Sequence, residues 1–369
     1  MLSAPCLSIR DGVRLYAPML TTLRLSHFRC YGSLKWEIPA EGAVLLGANA
    51  QGKTSLMEAI CFALTLHSPR AAKPERMVQE GYTNFGIALE SEWGSRRLLW
   101  ENRRLSLKTD GIVCRDFADY LTDSQPLIWL GNGDMALVQG AAEDRRRFLD
   151  FLGTQWHPEY RDALLAYRKA LKSRNVLLRH PRRSHAALNS YAELLARYGE
   201  CLIRLRAMLI QRLIPHVVHH HRRISGGEEL VHLEYRPCAE PPLAESIRAA
   251  LSTDERCGYT TIGPHRDDFS LLISGRRAAD YASEGQQRTL ATALLLAQSS
   301  LLHEETGQPP ILLIDDIFGE LDPTRRKALL GMLPAESQIF ITTTHLDWLR
   351  DSPCPLPIYH IEAGGIMPQ

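Results

Sequence analysis

Several features that would place this chain at a membrane or outside the cell are missing from its sequence. No apolar run reaches the roughly 20 residues needed to span a bilayer. The first residues lack a basic segment leading into an apolar block, so no secretion signal is indicated. The eight cysteines are scattered without a C-x-x-C pair, which is typical of reduced thiols. We therefore expect a cytoplasmic protein without membrane contact.

An excess of one charge sign is also missing. The 43 Lys and Arg residues face 42 Asp and Glu residues, so the net charge excludes neither acidic nor basic partners. There is no internal repeat or low-complexity tract, and 369 residues suffice for a large core and two lobes. Residues 1–18 precede the first strand-like pattern, and we interpret them as a poorly ordered extension.

The most informative motif is G-x-x-x-x-G-K-T at residues 47–54, directly after an apolar run at 43–46. A strand, a glycine-rich turn and a helix in this order form a phosphate-binding loop. The backbone N–H groups would face a polyphosphate, with Lys53 neutralising its charge and Thr54 coordinating Mg²⁺. The predicted ATP-binding residues of this loop are Gly47, Ala48, Asn49, Ala50, Gln51, Gly52, Lys53, Thr54 and Ser55.

A second apolar run, at residues 311–314, ends in Asp315 and Asp316. Strand ends face the ligand in open α/β sheets, so Asp315 would hold Mg²⁺ and Asp316 would orient the attacking water. Together with Lys53 they are the predicted catalytic residues. Taken alone, the run could equally be a strand that ends in a solvated acidic turn.

Residues 281–288 introduce a helix, with Ser283 at the position of an N-cap. A serine, a glycine and the N–H groups of a helix end can bind an anion, which need not belong to the same subunit. A simple helix cap is the alternative interpretation of this segment.

Hydrophobic periodicity divides the chain into strand-rich ends and a helical middle. Residues 85–115 alternate like an antiparallel meander, and 126–130 resemble a buried strand. Helices are predicted from Pro158 to about 180 and from about 185, with a kink or an end at Pro215. The predicted domains are residues 1–142 and 257–369, which form two halves of a nucleotide-binding head, and 143–256, an inserted helical, basic lobe.

The order of these parts resembles the ABC-type ATPase head of transporters and chromosome-organising proteins. The resemblance implies an α/β fold: a mixed sheet with a phosphate-loop core and an antiparallel meander, plus the inserted α-helical lobe. It also implies that two heads face each other, each presenting its Ser-x-Gly-Gln turn to the partner's ATP. The residues that it adds to the nucleotide site are Ser283, Gly285, Gln286, Asp322 and His345.

Within that superfamily the sequence is similar to the RecF family of bacterial recombination-mediator ATPases. The segments that carry the similarity are 25–31, 137–140, 145–150, 167–178, 263–269 and 281–288. Two departures stand out. Asn132-Gly133-Asp134 replaces a turn that is usually Pro-Glu-Asp, and His345 occupies a position where the family often lacks histidine.

The resemblance to RecF implies a weak, DNA-stimulated ATPase that acts in DNA repair, DNA replication restart and the SOS response to DNA damage. An ATP-dependent homodimer would clamp double-stranded or gapped DNA and help to load recombinase. RecR and RecO would be its protein partners.

The helical middle of the chain is locally basic. Between Arg145 and Arg223 there are 17 Lys and Arg residues but only 5 Asp and Glu residues. Such a patch on a neutral protein is typical of binding to a phosphate backbone, although a solvated helical face would look alike. The predicted DNA-binding residues are Arg145, Arg146, Arg147, Lys172 and Arg174. We interpret the histidines at 216, 219, 220 and 221 as a surface that gains positive charge in mild acid, not as a metal site.

Three other functions are compatible with parts of the pattern. The first is an ATPase of a defence system that activates a nuclease. The nuclease would have to be a partner protein, because no nuclease domain is visible in this sequence. The second is the ATP-driving subunit of a transporter, against which the basic helical insertion argues. The third is a binding module with an inactive ATP site, against which the intact Lys53, Thr54, Asp315 and Asp316 argue.

Overall fold

The computed structural model describes most of the chain in five stretches, which are residues 19–131, 135–227, 229–319, 323–351 and 354–369. The predictions made for residues 1–18, for the turn at 132–134 and for Asp322 lie outside these stretches. The chain forms two compact units. The first combines the described residues up to Gly131 with those from Gly307 to Gln369, and the second comprises the described residues between them.

Strands and helices are numbered here in chain order. The strands are β1 Leu20–Phe28, β2 Tyr31–Glu37, β3 Gly42–Leu46, β4 Phe85–Ser91, β5 Gly94–Glu101, β6 Arg104–Thr109, β7 Ile112–Val113, β8 Leu127–Gly131, β9 Val231–Arg236, β10 Asp268–Ile273, β11 Arg276–Arg277, β12 Ile311–Asp315, β13 Ile339–Thr343, β14 Ile358–Glu362 and β15 Gly365–Pro368. The α-helices are α1 Lys53–Thr65, α2 Phe117–Leu121, α3 Met135–Gln139, α4 Ala142–Trp156, α5 Pro158–Arg179, α6 His185–Ser225, α7 Leu243–Ala249, α8 Leu251–Cys257, α9 Ala278–Tyr281, α10 Glu284–Thr306, α11 Pro323–Leu330 and α12 Trp348–Asp351. Short 3₁₀ turns lie at Pro74–Met77 and Pro264–Arg266.

An antiparallel sheet in the order β2-β1-β4-β5-β6-β7 forms one layer of the first unit. Its register brings Leu25 of β1 opposite Leu34 of β2 and Ile87 of β4. All three side chains are buried, so the alternating pattern of the sequence gives this sheet its apolar face. The antiparallel meander predicted for residues 85–115 is confirmed by β4 to β7.

A mixed sheet in the order β15-β14-β3-β13-β12-β8 forms the other layer of the first unit. Strand β3 pairs in parallel with β13 and β14, and β12 pairs in parallel with β13 and β8. The carboxyl ends of these strands therefore meet at one edge, where ligands bind in such sheets. The buried parallel strands predicted at 311–314 and 339–341 are confirmed, and they are direct neighbours.

The second unit consists of helices α3 to α10 and a small antiparallel sheet in the order β11-β10-β9. Helix α5 begins at Pro158, as predicted, because proline fits the first turn of a helix. Helix α6 runs from His185 to Ser225 with Pro215 inside it, so proline does not end it. Its 41 residues extend over about 60 Å.

The two units divide near residues 131 and 307, whereas the sequence suggested boundaries near 142 and 257. The difference arises because helix α10 packs against α6, so residues up to Thr306 belong to the second unit. No helix in the described stretches is both long and apolar enough to cross a membrane.

Candidate functional site

The phosphate loop joins β3 to α1 at the carboxyl edge of the mixed sheet. All of β3 is buried between its two parallel neighbours, which fixes where the loop begins. A Cβ atom at Gly47 would lie 2.3 Å from the carbonyl oxygen of Ile361, and one at Gly52 would lie 2.7 Å from Tyr31 Oη. Gly52 also has a φ of 114°, in the region that favours glycine. Both glycines are therefore required by the fold of the loop itself.

Lys53 is buried and its ammonium group is turned back onto the loop. Its Nζ donates to the carbonyl oxygens of Gly47, at 2.6 Å, and of Ala48, at 2.8 Å. Burial lowers the pKa of Lys53, while the carboxylates of Asp316 and Asp315 act in the opposite direction. The loop thus holds a desolvated positive charge among its own carbonyl groups, as a site for phosphates requires.

Asp315 accepts two hydrogen bonds that tie the loop to the sheet. Its Oδ1 accepts from Thr54 Oγ1 at 2.8 Å and from Thr342 Oγ1 at 2.7 Å. The Thr342 hydroxyl in turn accepts from the backbone N–H of Asp316 at 2.9 Å. Hydroxyl and carboxylate oxygens are the ligands that Mg²⁺ prefers, so the donor set of Thr54 and Asp315 fits this ion.

Asp316 adopts the left-handed backbone conformation, with a φ of 55° directly after the end of β12. Burial raises the pKa of Asp316, and the charge of Asp315 adds to this effect, while Lys53 and His345 oppose it. A carboxylate with a raised pKa beside a phosphate loop can accept a hydrogen bond or a proton from water.

A cavity of about 420 Å³ lies over the loop. Its walls include seven of the nine predicted ATP-binding residues of the loop, together with Asp316 and Thr342. The loop residues that line it are Asn49, Ala50, Gln51, Gly52, Lys53, Thr54 and Ser55.

Three arginines on the rim of this cavity were assigned no role from the sequence: Arg29, Arg70 and Arg76. Arg29 makes two hydrogen bonds, of 2.9 and 2.8 Å, with the buried carboxylate of Glu58. It also donates to the backbone carbonyl of Arg76 at 2.7 Å. Arg29 lies in the segment 25–31 that carries the RecF resemblance, and this is the one signal that could have identified it.

The Ser-x-Gly-Gln turn at 283–286 caps helix α10 in the second unit, whereas the phosphate loop belongs to the first. Ser283 Oγ accepts from the N–H of Gln286 at 3.3 Å, and Gln286 Oε1 accepts from the N–H of Ser283 at 2.8 Å. This reciprocal pair is a capping box, so the predicted N-cap is confirmed. Gly285 lies in the first turn of the same helix.

His345 follows β13 and its side chain is exposed. The hydroxyl of Thr343 donates to its backbone carbonyl at 2.8 Å, which ties this residue to the end of the strand. The charge of His345 makes the smallest of the four contributions to the pKa of Asp316 and opposes its rise.

Two of the five predicted DNA-binding residues are buried in ion pairs. Arg145 donates to both carboxylate oxygens of Asp268, at 2.7 and 3.0 Å. Arg174 is 1% exposed and donates to Asp254 at 2.6 Å. Because both guanidinium groups are buried against internal carboxylates, Arg145 and Arg174 have little surface left for a DNA backbone, which counts against the expected contact for these two residues.

The other three remain available to solvent. Arg147 and Lys172 are exposed, and Arg146 is half-buried. Lys172 lies on α5 one helical turn from Arg168 and Lys169, which are also exposed. These three side chains form a basic stripe on α5, because residues three and four apart share a helix face.

The four histidines near the end of α6 do not form one surface. His220 and His221 are buried, and burial lowers the pKa of His220 to about 4. His220 therefore stays neutral in mild acid, which corrects the expectation of added positive charge at this residue. Burial also lowers the pKa of His221. Across the described part of the chain, no three His, Cys, Asp or Glu side chains are arranged to hold a metal ion.

Comparison with known proteins identifies several relatives of this chain. A family model described as an AAA domain matches residues 22–112. The DNA replication and repair protein RecF of Synechococcus sp. (strain JA-2-3B'a(2-13)) is 36% identical over 378 residues, which cover 95% of this chain and 97% of that protein. A solved structure of the recombination mediator protein RecF with ATP, described as part of the RecFOR pathway, is 27% identical with a TM-score of 0.85 and covers 98% of this chain and 100% of that one.

A more distant structural similarity, to a chromosome-organising ATPase head, identifies the fold. The Smc head domain of Pyrococcus furiosus is 15% identical with a TM-score of 0.55, covering 95% of this chain and 96% of that one. The fold is therefore that of the ABC-type ATPase heads, with a mixed sheet, an antiparallel meander and an additional helical part, as the sequence predicted.

Proposed function

Because the chain belongs to the RecF family of DNA replication and repair proteins, we propose that it is an ATP-dependent DNA clamp. Two copies close around ATP, hold double-stranded or gapped DNA, and help to load recombinase during repair and replication restart. The observation that carries this proposal is the connected set of Lys53, Thr54, Asp315 and Thr342 beneath the cavity over the phosphate loop.

The residues at this site have different roles in ATP binding and in ATP hydrolysis. Lys53 and the N–H groups of residues 47–54 hold the phosphates of ATP. Thr54 and Asp315 hold Mg²⁺, which when bound neutralises developing charge on the phosphates. Asp316 orients and polarises the attacking water, and its raised pKa favours the acceptance of a proton. Hydrolysis is slow and is stimulated by DNA.

The Ser-x-Gly-Gln turn contacts the ATP of the other copy. Ser283, Gly285 and Gln286 stand at the N-terminus of a 23-residue helix, whose dipole favours a negatively charged phosphate. The capping box keeps the turn in one conformation before the two copies meet. Asp322 at the dimer contact and His345 as a sensor of the γ-phosphate complete the site. ATP thereby shifts the population towards the closed dimer, and hydrolysis releases it.

DNA binds the helical lobe at residues 143–256, which is part of the second compact unit. By proposed role, the two halves of the head are residues 1–142 and 257–369, so α10 counts with the head although it packs against α6 in the second unit. Basic side chains on α4 and α5 of the helical lobe contact the phosphate backbone without sequence preference, so affinity falls steeply with salt. The residues that we assign to this contact are Arg146, Arg147, Arg168, Lys169 and Lys172. RecR and RecO are the proposed protein partners, because the related RecF structure is described as part of the RecFOR pathway.

Sedimentation velocity with and without ATP and duplex DNA tests this proposal. The wild type should shift from monomer to dimer on addition of ATP, and Lys53→Met should remain monomeric because it cannot hold the phosphates. Ser283→Arg should still bind ATP, measured with a fluorescent analogue, yet fail to dimerise. A Ser283→Arg protein that dimerises like the wild type would exclude the proposed contact in trans.

A further inference from the structure

A second cavity, of about 300 Å³, lies entirely within the second unit. Helices α4, α5 and α6 and the 3₁₀ turn Pro264–Arg266 surround it. Four arginines, two carboxylates and one histidine contribute its polar walls. They are Arg146, Arg147, Arg168, Arg206, Glu143, Asp150 and His265.

Most of these charges are already compensated inside the protein. Arg206 is buried and contacts Asp150 at 2.8 Å and Asp267 at 3.1 Å. Arg168 contacts the second oxygen of Asp150 at 2.9 Å. Arg147 is paired with Glu143.

The histidine adds no charge to the cavity. His265 Nδ1 lies 2.7 Å from the hydroxyl of Tyr167, and its Nε2 lies 2.9 Å from the carbonyl oxygen of Thr260. Burial lowers the pKa of His265, so the ring is neutral at physiological pH.

Arg146 differs from the other three arginines of the cavity in the partner of its guanidinium group. Its Nη1 donates to the backbone carbonyl of Asp267 at 2.8 Å, and within the described residues no carboxylate oxygen lies within 4 Å of its guanidinium. The two carboxylates whose charges act on it are engaged elsewhere: Asp268 with Arg145, and Glu143 with Arg147. Burial, and then the positive charge of Arg206, lower the pKa of Arg146. An anion in the cavity would offset both effects.

We propose that this cavity is a seat for one phosphate group of the DNA backbone, with the Arg146 guanidinium as its charged ligand. A guanidinium fixed at one nitrogen by a carbonyl keeps its other N–H groups for the non-bridging oxygens of a phosphodiester. The seat adjoins the basic stripe through Arg168, which belongs to both. The inference rests on the DNA binding proposed above and specifies where one phosphate of that DNA is held.

Binding of a fluorescent 30-base-pair duplex, measured by anisotropy from 50 to 200 mM salt, tests the seat. Arg146→Gln should weaken binding roughly tenfold at low salt and reduce the slope of log K against log salt by about one. Arg146→Lys should retain most of that slope because it retains the charge. The control Arg204→Gln removes an exposed arginine of α6 that is paired with Glu159, outside the cavity, and should leave the slope unchanged.

A second measurement uses only the wild-type protein, so it does not depend on the folding of a variant. Phenylglyoxal labels accessible arginines, and peptide mass spectrometry reports each site separately. Duplex DNA should protect Arg146 while Arg204 remains labelled. Protection by millimolar inorganic phosphate or ATP with none by DNA would overturn the assignment to a DNA phosphate.

The failure of this inference differs from the failure of the proposed function. Normal DNA binding with an unchanged salt slope in Arg146→Gln would exclude the seat and leave the clamp in place. An absence of DNA binding by the wild type, with or without ATP, would exclude both.

Discussion

Gln286 donates from its side-chain amide to a carboxylate oxygen of Glu229 at 2.7 Å, and the other oxygen of Glu229 lies 3.4 Å from His221 Nε2. The same amide accepts from the N–H of Ser283. Two contacts therefore fix the orientation of the Gln286 amide. Its oxygen is held by Ser283 in the same turn, and its nitrogen is held by Glu229, which follows the end of α6.

Substitution of Glu229 should consequently affect the dimer without affecting ATP binding by one copy. Glu229→Ala leaves the Gln286 amide without its acceptor, and we expect ATP-dependent dimerisation to weaken about tenfold, the cost of one hydrogen bond to a charged group. Glu229→Gln retains an acceptor oxygen and should recover much of the affinity. Sedimentation at saturating ATP, with analogue binding as the control, checks this. Equal loss in both variants would contradict the role of the hydrogen bond.

Thr342 is expected to control the geometry of both catalytic carboxylates. Thr342→Val preserves the shape of the side chain but removes the hydroxyl that bonds to Asp315 and to the backbone of Asp316. Loss of one such hydrogen bond in a half-buried site costs about 1 to 3 kcal/mol. We expect a ten- to hundredfold lower kcat with a smaller change in KM, measured by phosphate release. Thr342→Ser is the matched control and should retain most of the activity.

Arg174 and Lys172, two residues apart on α5, should respond in opposite ways to the loss of their charge. Arg174→Gln leaves the buried Asp254 carboxylate without its cationic partner and should lower the free energy of unfolding by about 3 to 5 kcal/mol. Lys172→Gln should leave stability nearly unchanged but weaken DNA binding. Urea denaturation and anisotropy on the same samples separate the two effects. A stable Arg174→Gln protein with weakened DNA binding would restore Arg174 to the DNA-binding face.

The ionised carboxylate of Asp316 should lower the free energy of unfolding at neutral pH. Its pKa is raised in the folded protein, so the stability that the protonated carboxyl contributes is complete below the unfolded pKa and is lost as pH rises through the folded pKa. Asp316→Asn should therefore raise the Tm of the nucleotide-free protein at pH 7.5, and by less at pH 5. The same variant should lose ATPase activity. A lower Tm at pH 7.5 would contradict burial as the dominant cause of the pKa shift.

His220 should make the protein acid-sensitive. Its pKa is lowered to about 4 in the folded state, against about 6.5 when unfolded, so the stability gained above pH 6.5 is lost as pH falls towards 4. The full loss is about 3 kcal/mol at most. His220→Gln should flatten the fall in unfolding free energy between pH 7 and pH 5. Urea denaturation at a series of pH values provides the measurement.

The parts of the site that the sequence revealed are those encoded locally. The loop at 47–54 and the acids after β12 each follow a short buried strand, and the cap at Ser283 depends on residues within one helical turn. The parts that it concealed depend on contacts between distant segments. Arg145 and Arg174 looked like surface cations because their partners, Asp268 and Asp254, are 123 and 80 residues away in the chain. The role of Thr342 was equally hidden, because it arises only from the pairing of β12 with β13.

The position of β3 in the mixed sheet has a consequence for the synthesis of the protein. Both hydrogen-bonding neighbours of this strand, β13 and β14, lie more than 290 residues further along the chain. On the ribosome, both edges of the strand that carries the phosphate loop remain unpaired until residues 339–362 have been synthesised. We therefore expect a chain that stops before residue 339 to lack a competent nucleotide site.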